Sequence, residues 1–365
     1  MDVILDADAG FSHATPNRKH TGVGKFMAEK RVAKAFVLNE IGYDGLVEIA
    51  REVPSVGPTQ ILVEMRAASL NFRDLKILKG VYAVKPDLPI VPLSDGSAQV
   101  VDTGVEVSRF KAGDRVLPIY MEGWYSGPAT KDRRGWKAKA ADVDGTAIQY
   151  AVYEQEDILP IPASLSYEDA ACLPCAGATA WQALVYVGQV KTGDTVLIMG
   201  SGGVSVLGLQ IAKMSGARVI ATSSDDAKLQ RLVDMGASDG INYKKNPNWE
   251  EDVLRLTSGR GVDLVLDVVG AATIGQSMRA TKDGGYVGIV GNLSGEFSSA
   301  AATERGIRVA TIPVGSREMT EDLMRALDLH NVKPVIDRSF PFKQLKEALQ
   351  YLEKGEHFGK VVISF

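Results

Sequence analysis

The stretch Gly200-Ser201-Gly202-Gly203-Val204-Ser205 constrains this chain more than any other. It follows the apolar run Thr195 to Met199 and leads into the amphipathic pattern Val206 to Met214. A strand, a glycine turn and a helix in that order let backbone approach a pyrophosphate closely. They also aim the amides of a helix N-terminus at its negative charge. The motif is read as a dinucleotide site, with the pyrophosphate over Gly202 and Gly203 and with Gly200 and Val204 completing the turn. Tight turns also collect glycine, so the flanking elements carry this reading, and Ser205 stands where a third glycine is usual.

The surrounding pattern agrees. Helix periodicity over Tyr167 to Val187 precedes the motif, and apolar strand then alternates with helix: strands at Ala217 to Thr222, Val262 to Val269 and Gly285 to Val290, with a helix at Ala227 to Met235. Such alternation implies a doubly wound parallel sheet with helices on both faces. Before about residue 164 the pattern is different. Alternation at Val32 to Leu38 and short strands at Leu46 to Glu52, Gln60 to Ala67, Gly96 to Val101, Arg115 to Ile119 and Ala147 to Tyr153 describe a mostly β region. The chain closes with helices at Met319 to Leu329 and Phe342 to Glu353 and a strand at Lys360 to Phe365. Residues 1–26 lack periodicity and are read as a flexible extension. Met121 to Gly145, with Trp124, Trp136 and the cluster Lys131, Asp132, Arg133 and Arg134, fits either a solvated excursion or a lid over substrate.

Composition excludes several function classes. A net charge of -4 over 365 residues supplies no basic surface for nucleic acid. No apolar run is long enough to cross a bilayer and the start lacks a secretory signal, so the expectation is a cytoplasmic protein with a small-molecule ligand and no membrane partner. Only two cysteines occur, Cys172 and Cys175. Their spacing allows a redox pair or half a metal site, but the apolar flanks favour two small buried residues. His13, His20, His330 and His357 have no metal-ligand spacing.

Cofactor choice is read after the second strand of the cofactor sheet. Ser223 and Ser224 stand where an acidic residue would pair with the free ribose hydroxyls of NAD, and Lys228 follows. Hydroxyls and a cation suit a ribose phosphate, hence NADP. Asp225 and Asp226 lie close behind, so NAD is kept as the alternative, and Lys228 is also readable as a solvated helix residue.

Several blocks in order resemble the medium-chain dehydrogenases/reductases, particularly their quinone oxidoreductase-like, zinc-independent and alcohol dehydrogenase-like members. The blocks are Ala68-Ser69-Leu70-Asn71-Phe72-Arg73-Asp74, Gly80-Val81-Tyr82, Lys111-Ala112-Gly113-Asp114-Arg115-Val116, the glycine motif, Gly261 to Asp267 and Phe358-Gly359-Lys360-Val361-Val362-Ile363. The resemblance runs from about residue 32 to the C-terminus. It implies a GroES-like catalytic domain (27–165 and 318–365) interrupted by a Rossmann NAD(P)-binding domain (166–317), with the active site in the cleft and a homodimer as the assembly.

The resemblance further implies cofactor contacts from Thr179, Tyr243, Val268, Val290, Gly291, Asn292, Ser316, Arg317, Phe358 and Lys360. For Val268 and Val290 a core role competes. Zinc-dependent members hold a catalytic metal, but their ligand positions here look like Asn71, Ser94-Asp95 and Cys175, and the cysteines of their structural zinc lobe have no counterpart in Met121 to Gly145. No zinc is expected. Without a Lewis acid, activated acceptors such as quinones and enones are the fitting substrates. Tyr82 is implied as the proton donor and Asn71 as an orienting group; Tyr82 is equally readable as a packing aromatic, Asn71 as a loop cap, and Arg73 with Asp74 as a structural ion pair. The function expected is NADPH-dependent hydride transfer to a quinone, enone or other activated carbonyl. An alcohol dehydrogenase acting on simple alcohols and aldehydes is one alternative, and a non-catalytic NADPH-binding protein is another.

Overall fold

The computed structural model describes residues 32–130, 135–291 and 303–365. The readings for residues 1–26, for Lys131, Asp132, Arg133 and Arg134, and for Asn292 lie outside the described residues.

Six parallel strands form the cofactor sheet, in the order Asp239–Asn242, Arg218–Ser223, Thr195–Met199, Val262–Asp267, Thr281–Ile289 and Arg308–Thr311. The chain starts in the middle at Thr195–Met199, winds outward one way and then the other. The crevice where the winding reverses, beyond the ends of Thr195–Met199 and Val262–Asp267, is where such sheets bind ligands. Both strands are buried along their whole length, as continuous apolar runs covered on two faces must be.

The second sheet has seven strands. Ile336–Pro341, Lys360–Ser364, Gln60–Ser69, Asp95–Thr103, Arg115–Pro118 and Ile158–Pro160 follow one another, and Tyr150–Glu154 pairs with Gln60–Ser69. Val32–Leu38 and Leu46–Glu52 form a separate antiparallel pair. The closing strand Lys360–Ser364 thus returns beside the early strands. Gly359 N–H donates to the Ser201 carbonyl at 2.9 Å, tying that return to the glycine turn of the cofactor sheet.

Three sequence readings change. The strand expected at Ala147 to Tyr153 runs over Tyr150–Glu154, because the amides of Gly145, Thr146 and Ala147 already bond to the carbonyls of Val91, Leu93 and Pro92. The helix after the glycine motif begins at Gly203, so Gly203, Val204 and Ser205 form its first turn and Gly202 is its N-cap. Residues 121–145 are anchored at both ends where they are described, while Tyr125, Ser126 and Pro128 to Thr130 are exposed. Met121–Glu122 pairs with Lys137–Ala138, and Trp124, 1 % exposed, stacks on Trp136 at 4.6 Å in a small core with Val314 and Met319. Two indoles have more apolar surface to bury than a surface loop can leave in water. Helices Phe72–Leu78, Trp249–Leu256 and Ile274–Ala280 are too short for periodicity to reveal.

Candidate active site

Strand register brings three polar residues to one corner. Val362 lies opposite Ser69, and Ser69 lies opposite Asp95, so the chain end at Leu70-Asn71, the start of Asp95–Thr103 and the start of Lys360–Ser364 converge. The Lys360 ammonium donates to the Leu70 carbonyl at 2.8 Å and to Asn71 Oδ1 at 2.7 Å, and lies 3.5 Å from Asp95 Oδ2. Asn71 Nδ2 in turn donates to Asp95 Oδ2 at 2.9 Å. Burial pushes the Asp95 carboxyl above the usual range, against the pull of Lys360, Asn71 and Ser69.

This corner opens on a cavity of about 600 Å³ between the two sheets. Of the residues singled out in the sequence, it brings together Asn71, Tyr82, Thr179, Gly200, Gly202, Gly203, Val204, Val268, Val290, Gly291 and Lys360. Val268 and Val290 also pack on the core, so lining and packing are both true of them. The glycine turn fits a pyrophosphate. Gly200 has φ +77°, and the helix from Gly203 starts at Gly202 without a side-chain cap over its first turn. Above Gly202 there is open space, the nearest atom to a Cβ there being His357 Nε2 at 4.0 Å.

Other singled-out residues lie away from the cavity lining. Ser223 is buried, and its hydroxyl accepts from Asp225 N–H at 3.3 Å, while Ser224 is half-buried beside it. Lys228 Nζ donates to the Gly355 carbonyl at 2.7 Å, and Tyr243 is exposed. Asp225 caps its helix by accepting from Lys228 N–H at 2.9 Å. Ser316 likewise caps the helix Arg317–His330, and Arg317 pairs with Glu156. Phe358 is a core residue under the Arg231 guanidinium, 3.9 Å from its ring centroid. Lys228, Ser316, Arg317 and Phe358 thus have a structural use that the sequence did not disclose.

The cavity also gathers residues that sequence reasoning missed. Arg73 donates from Nη1 to the Lys139 carbonyl at 3.0 Å, and its guanidinium lies 4.9 Å from the Tyr82 ring centroid and 5.0 Å from that of Tyr120. The expected Arg73 and Asp74 pair is present at 3.8 Å, but Arg73 faces the cavity as well. Burial raises the Asp74 carboxyl to about 6, partly offset by Arg73 and the Asn71 amide. Burial also holds the Tyr120 hydroxyl well above its ordinary value. His357 lines the cavity beside Gly202, and burial, with Lys228 and Lys360 nearby, lowers its pKa. The position of His357, directly before Phe358-Gly359-Lys360, was the available signal; its role over the glycine turn depends on the fold.

The donor set around Asn71 does not suit zinc. Asn71 offers a neutral amide whose oxygen already accepts from Lys360, and Asp95 shares the same ammonium, which leaves Cys175 as the one uncommitted soft donor of the three. Among the described residues no three His, Cys, Asp or Glu side chains cluster as metal ligands. No helix among them is long and apolar enough to cross a membrane.

Comparison with known proteins agrees with this architecture. Residues 57–163 match the alcohol dehydrogenase GroES-like domain and residues 203–329 the zinc-binding dehydrogenase family. A zinc-type alcohol dehydrogenase-like protein of Schizosaccharomyces pombe is 38 % identical over 88 % of this chain and 96 % of its own length. A 2-methylene-furan-3-one reductase of Solanum lycopersicum is 33 % identical over 85 % of this chain and 73 % of its own. The crystal structure of an NAD-dependent alcohol dehydrogenase, 33 % identical, superposes with a TM-score of 0.83 over 91 % of this chain and 99 % of that one. With its GroES-like and Rossmann-like parts both matched, the chain belongs to the medium-chain dehydrogenase/reductase superfamily of oxidoreductases.

Proposed function

We propose that the protein is an NADPH-dependent, zinc-independent reductase of conjugated enones, quinones or similarly activated carbonyls. The observation that carries this reading is the Lys360 ammonium set among Leu70 O, Asn71 and Asp95, a fixed cation amid donors that do not suit a metal. A reduced nicotinamide bound over the glycine turn supplies the hydride. Hydride arriving at the β-carbon of an enone breaks its C=C bond and leaves negative charge on the carbonyl oxygen. The chain's residues then hold that charge and deliver one proton to the α-carbon, giving the saturated carbonyl. Tyr82 lines the cavity and carries a hydroxyl proton suited to the second task, with Arg73 Nε 3.4 Å from its oxygen. Asn71 is the group suited to the first.

NADPH is favoured over NADH because the capping carboxylate of Asp225 is engaged with Lys228 N–H, while Ser224 and the Lys228 ammonium, once it leaves the Gly355 carbonyl, supply a hydroxyl and a cation for a ribose phosphate. The tomato relative's name describes an exocyclic methylene conjugated to a ring carbonyl, an acceptor of the proposed class. The names of the other relatives favour a second reading, an alcohol dehydrogenase using NAD. Oxidation of NADPH and NADH against menadione, cyclohexenone and butanal separates the two. Turnover of menadione or cyclohexenone with NADPH, and not of butanal, is expected; butanal turnover with NADH alone would establish the second reading.

A further inference from the structure

We infer that Lys360 is a tethered cation that fixes and polarises the Asn71 amide, making Asn71 the group that receives the carbonyl oxygen of the acceptor. The inference rests on the reductase reading for the identity of that oxygen, but its physical basis is separate. Lys360 is 2 % exposed although it carries a full charge, and burying an ammonium is costly unless its hydrogens are all engaged. Here three oxygens surround it: Leu70 O, Asn71 Oδ1 and Asp95 Oδ2. Its aliphatic stem lies on the cofactor turn, where a Cβ on Gly203 would come within 2.6 Å of Lys360 Cδ.

The network decides which way the Asn71 amide faces. Its oxygen accepts from Lys360 and one N–H donates to Asp95, so rotating the amide by half a turn would set N–H against ammonium and oxygen against carboxylate. The second N–H has no protein partner among the described residues, and Asn71 lines the cavity. An amide whose oxygen bonds a cation and whose nitrogen carries the remaining donor is a stronger donor than a free amide, because hydrogen bonds in series polarise one another. A carbonyl oxygen that gains negative charge as hydride arrives is the ligand such a donor stabilises most. Lys360 and Asp95 are therefore positioning residues, and Asn71 is the catalytic one.

Three variants test this by kcat with cyclohexenone or menadione, whichever the wild type turns over, and by thermal unfolding. Lys360→Ala should lose kcat by on the order of 100-fold, the loss typical of one oxyanion donor, and should unfold at lower temperature. Propylammonium added to Lys360→Ala should restore part of both quantities, while equal propanol should restore neither. Asn71→Asp retains an oxygen for Lys360 but sets its second oxygen against Asp95, so it should unfold at a lower temperature and, in the folded protein, lose kcat with little change in the cofactor KM. Recovery with propanol equal to that with propylammonium would overturn the inference. So would Lys360→Met or Asn71→Asp with kcat within about threefold of wild type. If Lys360→Ala does not fold, Asn71→Asp decides by itself. The rescue of thermal stability does not depend on which acceptor is reduced, so failure of the reductase reading and failure of this one remain distinguishable.

Discussion

Arg73 holds Tyr82 from two directions: its Nε lies 3.4 Å from the Tyr82 hydroxyl oxygen and its guanidinium carbon 4.9 Å from the ring centroid. Nη1 is anchored on the Lys139 carbonyl, whose own segment is fixed by the Trp124 and Trp136 stack. A long, mobile phenol at the mouth of a cavity is thereby given one orientation. Burial works against the Arg73 charge, but Tyr120, Asp74 and Tyr82 favour it, so it persists across the whole useful pH range.

Removing that hold should affect turnover more than binding. Arg73→Met keeps the length of the side chain and loses both the donor and the cation over the ring. We expect kcat to fall by about tenfold to 100-fold, with the KM for NADPH within about twofold of wild type. Tyr82→Phe should fall by a similar factor, and the double variant should be little worse than either alone, because both act in one unit. Additive losses in steady-state kinetics would separate the two residues.

Cofactor preference gives a second prediction. Lys228 donates to the Gly355 carbonyl, and the proposed NADPH preference requires it to exchange that bond for the ribose phosphate. A charged hydrogen bond to phosphate contributes about 1.5–3 kcal/mol, so Lys228→Ala should raise the KM for NADPH by roughly tenfold or more and leave that for NADH nearly unchanged. Ser223→Asp with Lys228→Ala should deepen the difference. Equal effects on both cofactors would remove these residues from the ribose site.

Asp263 carries a pH-dependent part of the stability of the cofactor sheet. Burial alone would raise its carboxyl, but Arg260, Lys282 and Thr195 N–H, at 2.6, 2.5 and 2.8 Å, bring it down to about 2. An acid with a depressed folded pKa stabilises the fold above its unfolded value, near 4, and loses that contribution as pH falls toward 2. Asp263→Asn should therefore destabilise the protein at pH 7 by about 1–2 kcal/mol, allowing for solvent screening of the two cations. The difference from wild type should shrink as urea unfolding is repeated from about pH 4 downward.

The cofactor half was legible in the sequence because its signals are local. Thr195 to Met199, the glycine turn and the following helix are adjacent in the chain, and each is long or distinctive enough to read alone. Asn71 and Tyr82 entered through resemblance, and the fold places both on the cavity. What sequence could not supply was the meeting of distant residues. Lys360 was assigned to the cofactor, yet its ammonium reaches Asn71, 289 residues away, because Lys360–Ser364 pairs beside Gln60–Ser69. Ser316 and Phe358 sit near the right loops, but a cap and a core contact account for them. Arg73 was read as half of an ion pair because its neighbour Asp74 was visible, whereas Tyr120 and the Lys139 carbonyl were not. Residues 121–145 looked like a loop since two indoles stacked across a gap leave no period.

Hydride transfer without a metal is tested by turnover of an enone by protein dialysed against a strong chelator, with zinc quantified in the same sample. Full cyclohexenone or menadione reduction by NADPH at well under one zinc per ten chains is the predicted result. Loss of activity on chelation, restored by stoichiometric zinc, would contradict the account and place the metal among Asn71, Asp95 and Cys175 after all.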